Sequence, residues 1–200
     1  MLLCLGDSFT SGYGLDPGTL AWPYAAGSTL GVSTVVIAKP GASNDWIFRQ
    51  ALTATLTHVT HVIIAWSILS RIEYADKHGE HTLGIPNQRC FPHLKTLNNA
   101  ALQSCDTWRK EQFCALTRAV DSYFSSHSIP VLQTMITPQP TKWCSVPSAV
   151  YAQPGTTLTE IVYSRFADAG NLPCGHPGQP AHQHIGETLG KHLRDICRLP

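Results

Sequence analysis

Charge is scarce in this chain: 14 Lys and Arg and 13 Asp and Glu among 200 residues leave a net charge of +1 with histidine neutral. There is no basic stripe and no interleaving of aromatic and basic residues, which argues against a nucleic-acid partner. No apolar stretch is long enough to span a bilayer, so no membrane partner is expected either. Seven cysteines stand at 4, 90, 105, 114, 144, 174 and 197, an odd count without a Cys-x-x-Cys pair. Met1 to Leu5 is apolar but has no basic leader, so it does not read as a secretion signal. A cytoplasmic protein with free, mostly buried thiols is expected. The alternative is a few disulfides formed after release, Cys90 with Cys105 or Cys144 with Cys174. Internal repeats and low-complexity segments are lacking too.

What is present is a chain 43% hydrophobic, incompatible with disorder, and of a length suited to one domain over 1–200. Leu2–Leu5, Thr34–Ala38, His61–Ala65 and Pro130–Met135 are short apolar runs, as expected of strands covered on both faces. Ser148–Ala152 is a weaker fifth. Helical spacing appears over Ala21–Leu30, Asn44–Thr57 (with Ser43 able to cap it), Pro92–Cys105, Trp108–Ser126 and Pro177–Cys197. Such alternation predicts an α/β sandwich of three layers around a parallel sheet of about five strands. Two long loops are expected, Ile68–Phe91 folding over the carboxyl edge of the sheet and Pro138–Pro154. Both suit substrate walls or partner contacts.

Functional groups of such sheets gather at the carboxyl ends of the strands. Ser8, in Gly6-Asp7-Ser8-Phe9-Thr10-Ser11-Gly12-Tyr13-Gly14, follows the first strand directly. A serine there is a candidate nucleophile whose own N–H can face a developing oxyanion, provided a base adjoins it. His176, in Gly175-His176-Pro177, is the candidate base, brought to the same edge just ahead of the last helix. The plain alternatives are a turn serine and a helix-capping histidine. Asp7 reads as a turn-fixing residue and Asn44 as a helix cap or an oxyanion donor. Cys174, His176, His182 and His184 match no common zinc spacing, and no metal or other cofactor is expected. His182 and His184 are expected to pack or to face solvent. The five tryptophans are assigned to the core, with Trp66 the one to line a pocket.

These blocks resemble the SGNH (GDSL-like) hydrolases. The nonapeptide is similar to the family's first block, Lys39-Pro40-Gly41-Ala42-Ser43-Asn44 to the second, and His176-Pro177-Gly178 with His182 to the last. The resemblance implies a flavodoxin-like three-layer fold. It also implies a serine esterase-like activity with Ser8 as nucleophile, His176 as base and the Ser8 and Gly41 amides as oxyanion donors. A small-molecule or carbohydrate ester is the implied substrate, with removal of a sugar O-acetyl group as one form of it.

Two positions depart from the family. The third block normally carries an asparagine after strand three, where this chain has Ala65-Trp66-Ser67-Ile68-Leu69; Ser67, or a backbone amide nearby, is the replacement donor. The usual aspartate three residues before the histidine is Pro173 here. That leaves Asp168 as a possible triad acid, or a Ser–His dyad. Trp66-Ser67 with Arg71 and Glu73 is similar to a divergent, tailed-phage branch. Trp66, Arg71 and Glu73 are then candidate pocket residues, with a surface ion pair or structural pairing of Arg71 and Glu73 with neighbouring loops as the alternative. The phage likeness implies a rival function: a virion or tail-associated scaffold, with other virion proteins or copies of itself as partners and weak or no catalysis. Its location would then be the virion.

Overall fold

The computed structural model describes residues 1–84, 92–103, 107–137, 157–163, 165 and 176–198. The four apolar runs form β1 (Leu2–Gly6), β2 (Thr34–Ala38), β3 (His61–Trp66) and, numbered after a hairpin, β6 (Val131–Met135). They pair in parallel in the order β2-β1-β3-β6. The register sets Leu2 between Thr34 and His61, and Ile63 beside Leu132. Ser148–Ala152, the proposed fifth strand, lies outside the described residues.

Alternation along the strands builds two cores. Leu2, Cys4, Ile63, Ala65 and Leu132 face one side, covered by α2 (Trp22–Leu30), α6 (Leu158–Tyr163) and α7 (Gln179–Arg198). Leu3, Leu5, Val62, Ile64, Trp66 and Met135 face the other, covered by α3 (Asn44–Thr53) and α5 (Thr107–Ser126). The result is the expected α/β/α sandwich. β2 departs from the expectation of cover on both faces: it lies at the edge, and Val35 is exposed.

Helix α3 stops four residues short of the expected Thr57, where Ala54 turns extended at ψ 139°. The following Thr55 and Thr57, β-branched, disfavour further helix. The Pro92–Cys105 segment begins as a short 3-10 turn, Pro92–Leu94, and continues as α4 (Lys95–Gln103). α7 starts two residues later than expected, with Pro180 rather than Pro177 in its first turn. It presses closely on α2. A Cβ at Gly186 would lie 2.3 Å from the Trp22 carbonyl oxygen and 2.8 Å from the Ala26 nitrogen. Only glycine admits that approach.

The stretch after β3 is not merely a long loop. It forms an antiparallel hairpin, β4 (Ile72–Asp76) with β5 (Gly79–Leu83), turned by Lys77-His78. Arg109 of α5 holds the Leu69 carbonyl at 3.0 Å, and Asn98 of α4 accepts the Gly84 N–H at 2.7 Å, so the hairpin is tied to two helices. Free cysteines among the described residues are Cys4, Cys114 and Cys197; burial pushes the Cys4 thiol well above its ordinary range. The proposed disulfide partners at 90, 105, 144 and 174 lie outside the described residues. No described helix is long and apolar enough to cross a membrane.

Candidate active site

The strand order reverses direction between β1 and β3, so their carboxyl ends flank a crevice where such sheets carry ligands. β1 ends at Gly6, and Asp7 caps the short helix α1 (Ser8–Ser11), its Oδ1 accepting the Phe9 N–H at 3.1 Å. Ser8 is therefore the first residue after the cap, 6% exposed. Neither its N–H nor its hydroxyl donates to any group among the described residues. Gly12, at φ 73°, turns the chain back so that the Tyr13 N–H reaches the Ser8 carbonyl at 3.0 Å.

Gly41 lies in the turn between β2 and α3, at φ 78°. Lys39 N–H donates to the Gly6 carbonyl at 3.3 Å and so fastens that turn to the end of β1. The Gly41 N–H, like that of Ser8, has no acceptor among the described residues. His176 comes from the lead-in to α7. Its ring lies 5.4 Å from the Phe9 ring and 5.2 Å from the Tyr13 ring, centroid to centroid. The histidine thus sits over the turn that carries Ser8, although no hydrogen bond joins the two residues. Asp168 and Pro173 lie outside the described residues.

Below Ser8 is a polar network the sequence did not announce. Asp7, wholly buried, accepts from the Ser67 hydroxyl at 3.2 Å and from Arg71 Nη1 at 2.5 Å; Arg71 also donates to Ser67 Oγ at 2.6 Å. Burial pushes the Asp7 carboxyl up from its ordinary value, while the Arg71 charge, the Phe9 N–H and the hydrogen bonds of Arg71 and Ser67 pull it down. Asn44 grips the backbone of Ser67 on both sides, accepting its N–H at 2.7 Å and donating to its carbonyl at 3.2 Å. The signal for this network was Asp7 itself: a carboxylate directly after a buried strand requires a cation, and Arg71 follows strand three.

Several expectations change on this geometry. Ser67 was to donate to an oxyanion, but its N–H is given to Asn44 and its hydroxyl to Asp7. Asn44 is neither the cap nor an open donor, because Ser43 caps α3 through the Trp46 N–H and the Asn44 amide is held by Ser67. Trp66 is wholly buried. It alternates away from the crevice into the core, edge-on to Phe113 at 5.6 Å, with its Nε1 donating to Gln133 Oε1 at 2.9 Å. Arg71 lines a cavity of about 20 Å³ with Asn44, Asp45 and Arg109, room for roughly one water rather than a substrate. Glu73 pairs with Arg49 of α3 and Arg71 with Asp7, the structural pairing with neighbours that was the alternative to a pocket role.

His182 is buried on the first turn of α7, where its Nδ1 accepts the Trp22 N–H at 3.1 Å. Burial, with a smaller contribution from the neighbouring His176, pulls its imidazole down to about 4. His184 is only partly buried and lies 3.5 Å from Arg165 Nη1. Among the described residues no group of His, Cys, Asp and Glu is arranged to hold a metal ion.

No family model matches the chain, and no curated protein matches it. Solved structures do. A member of the lipolytic protein G-D-S-L family from Veillonella parvula superposes with a TM-score of 0.53 at 14% identity, covering 99% of this chain and 98% of that one. The esterase EstA of a Pseudoalteromonas species, in a structure inhibited by monoethylphosphonate, gives 0.52 at 14% identity over 99% and 98%. An acetyl xylan esterase from the rumen bacterium Butyrivibrio proteoclasticus gives 0.52 at 10% identity, over 98% of this chain and 64% of that one. The chain therefore has the fold of the GDSL hydrolases.

Proposed function

We propose that this protein is a serine ester hydrolase acting through Ser8 and His176. One observation carries the reading. Ser8 sits at the switch point of the sheet with its hydroxyl and N–H uncommitted, the Gly41 N–H uncommitted beside it, and His176 packed over the same turn. The esterases that share the fold support it, and the acetyl xylan esterase among them favours acetyl groups on carbohydrate as substrate.

In this reading His176 takes the proton of Ser8 as its Oγ bonds to the ester carbonyl carbon. The negative charge on the carbonyl oxygen is met by the N–H groups of Ser8 and Gly41, each worth about 3 kcal/mol at the transition state. Collapse breaks the bond to the alcohol, which leaves with the proton held on His176. A water then gives a proton to His176 and attacks the acyl-serine, releasing the carboxylic acid and regenerating Ser8. The Ser8–His176 hydrogen bond closes when substrate binds, a tightening common at such sites. Either the pair works as a Ser–His dyad or Asp168 orients the imidazole as an atypical triad acid.

The test is labelling with a fluorophosphonate, with the adduct located by mass spectrometry and p-nitrophenyl acetate turnover measured in parallel. An adduct on Ser8, absent from Ser8→Ala, is expected. Folded protein that neither labels nor turns over overturns the reading and leaves the alternative of an assembly or receptor-binding scaffold in a virion.

A further inference from the structure

We infer that Phe9 and Tyr13 are positioning residues for His176, two tilted rings that pack against the imidazole over the Ser8 turn. The inference rests on the Ser8–His176 reading above and deepens it.

Three observations converge. First, both aromatic side chains come from the turn that carries Ser8, one directly after it and one where Gly12 folds the chain back. The Tyr13 N–H bond to the Ser8 carbonyl, 3.0 Å, fixes Tyr13 to the nucleophile's own backbone. Second, the His176 ring meets both at centroid distances of 5.4 and 5.2 Å, with interplanar angles of 51° and 60°, inside the range of favourable tilted ring pairs. Third, Tyr13 is 52% exposed, although a large aromatic side chain gains from burial. Its ring stays against the histidine while half of it remains open to solvent.

The chemistry gives this arrangement a purpose. A base is effective only if its ring nitrogen is aimed at the proton it takes, and a hydrogen bond at one nitrogen fixes the ring edge but not its tilt. The family position that would supply a carboxylate is Pro173, whose side chain has no hydrogen-bonding atom. Whatever partner the imidazole nitrogens have, two rings packed against it at a tilt limit how far the imidazole can swing. Both rings come from the turn that carries Ser8, so nucleophile and base are registered by packing.

The experiment uses the full chain with ring-labelled histidine and the variants Phe9→Leu, Tyr13→Leu and Tyr13→Phe. The His176 signal is identified by its loss in His176→Gln. In the wild type its ring-proton resonances are displaced by ring currents. They move toward the free-histidine position in both leucine variants and stay in place in Tyr13→Phe. Turnover of p-nitrophenyl acetate falls about ten-fold in kcat in each leucine variant, with KM nearly unchanged, and Tyr13→Phe restores it. Tyr13, being half exposed, gives a variant that folds even if Phe9→Leu does not. His176 signals that stay put in both leucine variants, or kcat that stays at the wild-type value while they move, overturn the inference. If the wild type neither labels nor turns over, the hydrolase reading is what fails, and the spectra alone then decide whether the rings hold His176.

Discussion

Asn44 and Ser67 are joined twice: the carboxamide oxygen of Asn44 takes the Ser67 N–H at 2.7 Å, and its amide nitrogen gives a hydrogen to the Ser67 carbonyl at 3.2 Å. Both groups are buried, and both belong to the residue that ends the β3 side of the crevice. Asn44→Ala strands a donor and an acceptor together, at about 1–3 kcal/mol for each. A loss of roughly 2–6 kcal/mol is expected in denaturant unfolding at pH 7. A change below the error of the measurement would show that water replaces the side chain.

Arg71 is the cation that the buried Asp7 carboxylate requires. Arg71→Met leaves that charge unpaired in the core, and a loss of about 3–5 kcal/mol follows. Adding Asp7→Asn removes the stranded charge and recovers a part of the loss. The double-mutant cycle reads the coupling between them; strictly additive effects would contradict a direct pair.

Stability should fall on mild acidification. The His182 imidazole sits at about 4 in the folded protein and near 6.5 in the unfolded chain. Between these values the unfolded state binds the extra proton, so folding weakens as pH falls. The contribution is whole above pH 6.5 and is lost by about pH 4, up to about 3 kcal/mol. The geometry agrees, because a proton on Nδ1 would displace the Trp22 N–H. His61 and His184, also lowered by burial, act in the same direction. Asp7 and Asp45, raised by burial, act oppositely at the acid end. His182→Asn keeps an acceptor near the Nδ1 position and does not titrate. Its unfolding free energy should depend less on pH between 7 and 4.5, and an unchanged slope would remove His182 as the cause.

Gly186→Ala places a methyl group 2.3 Å from the Trp22 carbonyl oxygen and 2.5 Å from the Ala25 Cβ. The helices must separate, and overpacking of this kind costs about 1–3 kcal/mol. At Gly190 the nearest atom is the Thr29 Cβ at 2.9 Å, so Gly190→Ala should cost less. Calorimetric melting of the two variants checks the order; the reverse order would mean that α7 packs on α2 differently.

Much of the fold was legible because its strands are short apolar runs ended by glycine or polar residues, and periodicity detects these directly. Thr34–Ala38 came through with its bounds intact. The hairpin at Ile72–Leu83 did not, since Glu73, Asp76, His78, Glu80 and His81 mask any apolar alternation. Ser8 and His176 were expected at the carboxyl edge from their place after a strand and before a helix, and the His176 ring does lie against the turn that carries Ser8. The Asp7–Arg71–Ser67–Asn44 network was not legible, because its members are brought together only by tertiary pairing of β1, β3 and α3. Trp66 was misread for the same reason: its side of the sheet depends on strand parity, which a one-residue shift inverts.

The close seat of α7 on α2 has a consequence for order of assembly. Residue 8 and residue 176 meet only once the last helix has docked, and that docking depends on a helix-to-helix approach made at glycines. The sheet can form around β1, β2 and β3 before this happens, since their contacts are nearer in sequence. Any event that loosens α7, such as a nick, mild denaturant or acid at His182, should lift His176 off the Ser8 turn while the sheet persists. Loss of the site should therefore precede unfolding.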